Sequence, residues 1–598
     1  MAAAGGGVEL VEVGNSGLFN SANSETLSRT HSASNRDTFT FSTWLYRGTL
    51  GAQYGIFGAG VDANNFTELK ISSEQLVYAH ADGGSITDYL VTTNVFRDIG
   101  WYHVVLAVDT TDSTEANRVK LYVNNVAPAL GTADYPAQNV DTDINSNIAH
   151  SIGKRFGGTG FFDGYMAESV FIDGLQLTPS SFGEASDDGL YWTPKDDIKA
   201  LTFGTNGFYL DNSITQGHDA SGNANHFDLN NFTQNAYPTS NMTSNSAPNP
   251  LVASASSEDT PSGSEAFRAF GGSSTWRTTS GVGGVANLDL DLGSGNGIAV
   301  DSVTMECPDG ARAPQNFTIE GSNTGSFGGE ETTLLTKTSV SWSAGVAQTF
   351  CFTNTTAYRY LRMDCTATSG STYVEITEMD YNVGAADLST HTPTNQKCLS
   401  NPLYPMAGTQ EDGNKIMVTD GSDGATNPAT LFFDSEDTDG WYFEMKPTTS
   451  GSGIAKLSVG ACTSQHVADN ITNDSTNAGS YLFFPSTGNI THTSSISNAT
   501  WDSQANGASS MNDIVQIVVK AGKMYFGVND VWFDSSDDTF ANAGEAFTGI
   551  TGLLTPVFRH AHASTGKVEL YTATEDQTYT APSGTKAINT TNIAEATT

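Results

Sequence analysis

The sequence predicts an all-β protein of three antiparallel, jelly-roll-like β-sandwich domains in series, joined by short polar linkers. Three observations carry that prediction. Apolar and polar residues alternate in most segments long enough to form an element. Helical spacing is nowhere sustained, and two polar, proline-bounded stretches divide the chain. A prior of about 150 residues per domain gives three or four domains for 598 residues.

The alternation can be followed along the chain. Thr38-Phe-Thr-Phe-Ser-Thr-Trp44 alternates polar and apolar over its first five residues, and Asn287-Leu-Asp-Leu-Asp-Leu292 points three leucines one way and two aspartates the other. Val303-Thr-Met-Glu-Cys307 and Tyr360-Leu-Arg-Met-Asp-Cys365 repeat the pattern. Period 2 places one face on a core and the other in water, as antiparallel sandwiches require. Ser180-Ser-Phe-Gly-Glu184 is the one segment that suggests a helical turn. Residues 238–250 and 387–405 are polar, proline-containing and free of alternation, which suits extended connections. They divide the chain into modules at 1–240, 250–386 and 404–585, with a polar tail at 586–598.

Composition excludes several classes of function. Against 65 Asp and Glu stand 26 Lys and Arg, a formal charge of −39, so neither nucleic acid nor an anionic membrane is an expected partner. With 38% hydrophobic and 10% aromatic residues the chain can bury real cores. No apolar run approaches the ~20 residues of a spanning helix, so membrane insertion is not expected. Residues 1–7 lack the basic and apolar regions of a secretory signal, which points to synthesis in a cytoplasm. Five cysteines without a CxxC pair suggest reduced, buried thiols; a Cys351–Cys365 bridge is the alternative.

In the first module, Trp44 within FTFSTWLYR, Gly100-Trp-Tyr-His-Val-Val-Leu-Ala-Val-Asp109 and Val119-Lys-Leu-Tyr-Val-Asn-Asn125 resemble the laminin-G/concanavalin-A-like sandwich. Trp101 and Phe162 are expected as core anchors between its sheets. The stretch from Phe162 to Asn225 is similar to variants found in virion proteins of marine bacteriophages. Family members that cleave glucans carry paired carboxylates on one strand, whereas Glu168 stands alone on its strand and Asp187-Asp188 fall in a loop. Asp211 and Asp219 are either turn formers or oxygen ligands for calcium.

Residues 252–383 resemble a discoidin, galactose-binding-like domain through Glu265-Ala-Phe-Arg-Ala-Phe-Gly-Gly-Ser-Ser-Thr-Trp276, Phe317-Thr-Ile-Glu-Gly-Ser-Asn323, Ala357-Tyr-Arg-Tyr-Leu-Arg362 and Val374-Glu-Ile-Thr-Glu-Met379. The resemblance implies a possible calcium site at Ser273, Thr275 and Glu378, although Gly271 stands where the loop's usual Asp would be. It also marks Trp276 and Arg277 as carbohydrate-binding candidates, with burial of Trp276 as the competing reading.

The third module, through Gly440-Trp-Tyr-Phe-Glu-Met-Lys446, residues 512–529 and Leu554-Thr-Pro-Val-Phe558, resembles a SPRY-like binding scaffold. His560 and His562 lie two apart on a strand, either facing solvent or sharing a metal.

These resemblances imply a non-enzymatic bacteriophage virion component, such as a tail fibre, spike or capsid fibre. It would bind a host-surface glycan beside other virion proteins and leave the cell by lysis. A homo-oligomer, with a trimer favoured, would raise weak per-site affinity through avidity. A polysaccharide depolymerase and a purely architectural decoration protein are the alternatives.

Overall fold

The computed structural model describes residues 12–96, 99–156, 159–186, 191–272, 274–385, 388–403, 408–419, 425–448, 457–464, 479–485, 489–491, 496–500, 512–533, 539–560 and 565–593. Among them the architecture is antiparallel β throughout, with helix limited to single turns. The alternating segments form strands Thr38–Arg47, Ala286–Asp291, Ser302–Glu306 and Tyr360–Thr368. Near the expected turn at residue 180, Pro179–Ser181 forms a 3-10 turn.

The first sandwich packs two sheets. One runs through strands Ser16–Phe19, Gly164–Asp173, Thr38–Arg47, Trp101–Asp109 and Val119–Val123. The other contains Ser85–Thr92, Gln75–Asp82, Asn65–Ser72, Gln53–Asp62, Ala149–Ile152 and Thr26–Thr30. Between them lie Phe41, Phe57, Leu69, Tyr78, Leu106 and Phe162. Phe162 anchors this core as expected. Trp101 instead belongs to a cluster on the outer face, with Trp44, Tyr46, Tyr165 and Leu399.

Residues beyond 175 fold back over the same outer face and bury Val105, Val170, Ile172, Phe182 and Tyr209. Trp192 fixes part of this cover by donating from Nε1 to His103 Nδ1 at 2.9 Å. His103 Nε2 therefore carries the proton and donates to Ser42 Oγ at 2.8 Å. Burial pushes the His103 imidazole down to about 3, so it stays neutral.

The second sandwich sets Val252–Ala255, Ala286–Asp291, Tyr360–Thr368, Pro314–Ser322 and Thr332–Lys337 against Gln348–Cys351, Ser302–Glu306 and Glu378–Ala385. The third packs a sheet containing Trp441–Pro447, Val515–Lys520 and Lys523–Val528 on one containing Leu457–Thr463 and Leu553–His560.

The linkers are not the extended connections the composition suggests. Gln234–Tyr237 pairs with Glu378–Ala385, and Met242 and Leu251 enter the second core. The first module's longer sheet continues into the second module through Leu229 opposite Thr349. Lys337 Nζ, 2.8 Å from Asp228 Oδ1, reinforces that seam. Leu388–Ser389 pairs back onto Ser16–Gly17, and His391 sits edge-on to Tyr46 at 4.5 Å. A polar segment can be buried when its polar atoms find partners. Ser16 Oγ donates to the His391 carbonyl at 2.6 Å, and Lys397 Nζ lies 2.7 Å from Asp576 Oδ2. The expected tail also packs: Ile588 is buried in the third core, and residues 594–598 fall outside the described residues.

All five cysteines are free and buried, with Cys351 in the first core and Cys365 in the second, so a bridge between them is ruled out by placement. His560 is buried, contrary to the solvent-facing expectation, and its Nδ1 lies 3.2 Å from Thr419 Oγ1. His562 and Asp187-Asp188 lie outside the described residues.

Candidate functional site

The site begins with the two-residue strand Trp276–Arg277, which pairs with Glu375–Ile376 so that Trp276 lies opposite Ile376 and Arg277 opposite Glu375. Successive side chains on a strand face opposite ways. Trp276 therefore enters the second core, fully buried, with Nε1 donating to the Ser257 carbonyl at 3.1 Å. Its ring has no face free for a sugar. The candidate role of Trp276 as a stacking platform is thus corrected: register with Ile376 turns it inward.

The same register turns Arg277 outward. Its Nη2 is 2.6 Å from Asp259 Oδ2 and its Nη1 3.5 Å from Glu375 Oε1. The Asp259 partner raises the Arg277 guanidinium further above its ordinary value, and the same bond lowers the Asp259 carboxyl. Glu375, largely buried, also receives Arg312 Nη1 at 2.8 Å. The guanidinium carbons of Arg277 and Arg312 lie 5.7 and 5.6 Å from the Tyr373 ring centroid, within cation–π range.

Backbone bonds brace this group. Asp259 N donates to the Arg277 carbonyl at 2.9 Å, and Glu375 N donates to the Arg312 carbonyl at 3.1 Å. Three separate loops thus place a half-buried tyrosine beside two fixed guanidiniums. Arg312, Tyr373 and Glu375 were not singled out by sequence reasoning. The register between residues 277 and 375 is the signal that brings them in.

Of the calcium set, Glu378 and Thr275 flank the loop, and Ser273 lies outside the described residues. The Glu378 carboxyl is pushed up to about 7 by burial and by the neighbouring charges of Asp380 and Glu306, while the Gly272 N–H opposes the shift. Thr275 is neutral and Gly271 brings no anion, so Glu378 is the one carboxylate among the ligands proposed. That is less negative charge than a calcium cage uses. Asp219 acts as a turn former, accepting from Tyr209 N, Ser221 N and Asn225 N at 2.9, 2.9 and 2.8 Å. Asp211 accepts from Ser213 N at 3.1 Å in the same manner.

On the first module, the outer face of the longer sheet is covered by its own chain. A Cβ on Gly55 would meet the Lys154 carbonyl carbon at 2.1 Å, so only glycine permits this approach. Beneath this segment, Glu68 Oε1 is 2.6 Å from Lys70 Nζ and 3.4 Å from Arg155 Nη2, and Oε2 accepts from Phe156 N at 3.0 Å.

The first module has the concanavalin A-like lectin fold: the family model of the Concanavalin A-like lectin/glucanases superfamily matches residues 19–179. No curated protein sequence matches the chain. Among solved structures, the chain is similar to the family 32 carbohydrate-binding module of C. perfringens NanJ in complex with galactose, at 19% identity and TM-score 0.18 over 22% of this chain and 92% of that one. Chitosan-binding module 1 from a Paenibacillus sp. IK-5 chitosanase/glucanase is 28% identical, at TM-score 0.19 over 22% of this chain and 92% of its own. The SPRY domain of human HERC1 is 17% identical, at TM-score 0.23 over 29% of this chain and 96% of its own.

Proposed function

We propose that this protein is a non-enzymatic carbohydrate-binding protein that uses the Tyr373 rim of its second module. One observation carries the reading: a half-buried aromatic ring beside Arg277 and Arg312, both ion-paired with Glu375. A sugar presents an apolar C–H face that stacks on such a ring and a girdle of hydroxyls that bond to fixed polar groups around it. The guanidiniums are already paired with carboxylates, so the rim suits hydroxyls better than a free anion.

The test is a glycan array probed with the full chain and with Tyr373→Ala. Wild type is expected to bind a subset of glycans and Tyr373→Ala to lose about tenfold or more, in keeping with the loss of one stacking anchor. Equal binding by both would remove the rim from the reading.

In finer detail, the protein serves as a bacteriophage virion component, a tail fibre, spike or capsid fibre contacting a host-surface glycan. Support comes from the serial binding-type sandwiches and the formal charge of −39. As a homo-oligomer, with a trimer favoured, it would multiply weak contacts. Mass spectrometry of purified particles should recover the chain, and light scattering should give a mass above the 63.1 kDa monomer. Absence from particles would sink the virion role and leave the binding role standing.

The depolymerase alternative needs two carboxylates about 5–10 Å apart across a sugar. Glu68, on the covered face, is held by two cations and an amide, and of the carboxylates lining the first module's cavity, Glu168 is bonded by Tyr209 and Asp211 is paired with Lys199. Release of reducing ends from host capsule would reverse this reading.

A further inference from the structure

A cavity of about 550 Å³ opens on the first module between the segment that begins at Glu12 and the cover over the Gly164–Asp173 strand. Glu168 lies within it, on that strand, at a bulge where register slips between Ala167 and Val170. Its φ of +51° is a left-handed conformation that is strained for a non-glycine residue and clusters at functional positions. Tyr209, delivered by the adjacent strand Phe208–Leu210, donates its hydroxyl to Glu168 Oε2. Glu168 is 8% exposed and lines the cavity, and its Oε1 has no hydrogen-bond partner among the described residues.

Charged groups of both signs face this carboxyl. Lys199 Nζ lies 3.1 Å from Asp211 Oδ2 and 5.9 Å from the Tyr209 ring. Lys195 pairs with Asp197 at 3.5 Å, and Glu12 and Asp196 complete the acidic lining. Four carboxylates against two lysines, both already paired with aspartates, leave no free cation among the described residues for an anionic ligand, which suits a neutral ligand recognised through its hydroxyls. The volume falls in the range of ordinary ligand pockets.

We infer that the Glu168 cavity is a second saccharide site, taking a neutral sugar ring whose hydroxyls donate to Glu168 Oε1. This inference rests on the carbohydrate-binding reading and adds a site on a different module from the Tyr373 rim. Burial, with Asp211, pushes the Glu168 carboxyl up to about 7, against the opposing effects of Tyr209 and Lys199. Ionisation turns it into a stronger, charge-assisted acceptor. Affinity at this site should therefore rise several-fold between pH 6 and pH 8.

The experiment uses the full chain with galactose, glucose, mannose and N-acetylglucosamine in ligand-observed NMR at both pH values, beside the glycan array. Two variants probe the cavity. Glu168→Gln keeps shape but cannot ionise. Gly14→Trp fills the cavity mouth, where a Cβ meets nothing within 4 Å, and leaves Glu168 untouched. Thermal melting confirms that both fold. The expected result is a wild-type signal that strengthens with pH, about tenfold weaker binding with no pH dependence in Glu168→Gln, and loss in Gly14→Trp. Array binding with no effect of either variant overturns the cavity site and leaves the Tyr373 rim intact. Silence of the wild type in both assays overturns the site and the carbohydrate reading together.

Discussion

Glu68 and Glu168 occupy opposite sheets of the first sandwich and are 1% and 8% exposed, yet their surroundings differ in kind. Glu68 has Lys70 and Arg155 within ion-pair distance, a backbone amide on its other oxygen, and the chain laid over it. Among the described residues Glu168 has one phenol as hydrogen-bond partner, one unbonded oxygen and an open cavity. Burial alone thus does not define a site. Where two cations accompany the acid, its charge is neutralised in place and the face is closed. Where a hydroxyl is the direct partner and the nearest cation is engaged elsewhere, desolvation outweighs their help and the group remains available to a ligand and to protons.

The largest expected effect breaks the Glu68 side of this contrast. Glu68→Ala leaves Lys70 and Arg155 buried without their anion, and losing one partner of a buried pair costs about 3–5 kcal/mol. Urea denaturation of the full chain should show the first transition moved by that amount, and an unchanged midpoint would refute the closed-face account.

Next in size is the pH behaviour of Glu168. Its carboxyl rises from an ordinary 4.5 to about 7 in the fold, so the folded chain holds the proton more tightly than the unfolded one. The resulting stability is complete below pH 4.5 and is lost as pH rises through about 7. Glu168→Gln should therefore match wild type at acidic pH and exceed it at pH 8 by on the order of 3 kcal/mol. Parallel melting curves at both pH values would contradict it.

Tyr209→Phe gives the smallest effect. Removing a hydroxyl that stabilises the Glu168 carboxylate should cost about 1 kcal/mol. It should also move the pH-dependent loss of stability to higher pH, because Glu168 then keeps its proton to a still higher pH, as read by carboxyl carbon NMR.

Much of this molecule can be read along the chain. Leu288, Leu290 and Leu292 alternate with Asp289 and Asp291, and all three leucines lie in the second core. Arg277 stands in the rim beside the inward Trp276, as alternation on a strand requires. The partners of Arg277 were not legible in the same way. Asp259, Arg312 and Tyr373 come from three loops, and only the register that sets Arg277 opposite Glu375 gathers them. The segment 387–405 misleads for a related reason: its polar residues are those of a solvated linker, but Ser389 pairs with Ser16, His391 packs edge-on to Tyr46, and Lys397 meets Asp576, so all three are buried.

The sequence by itself determined the strand class, the direction in which most side chains point, and the three cores, because pleat periodicity is a property of neighbouring residues. Tertiary structure decided which faces are closed, that the modules share a sheet, and which acids meet cations. Those outcomes depend on pairings between residues far apart in the chain, and local pattern carries no record of them.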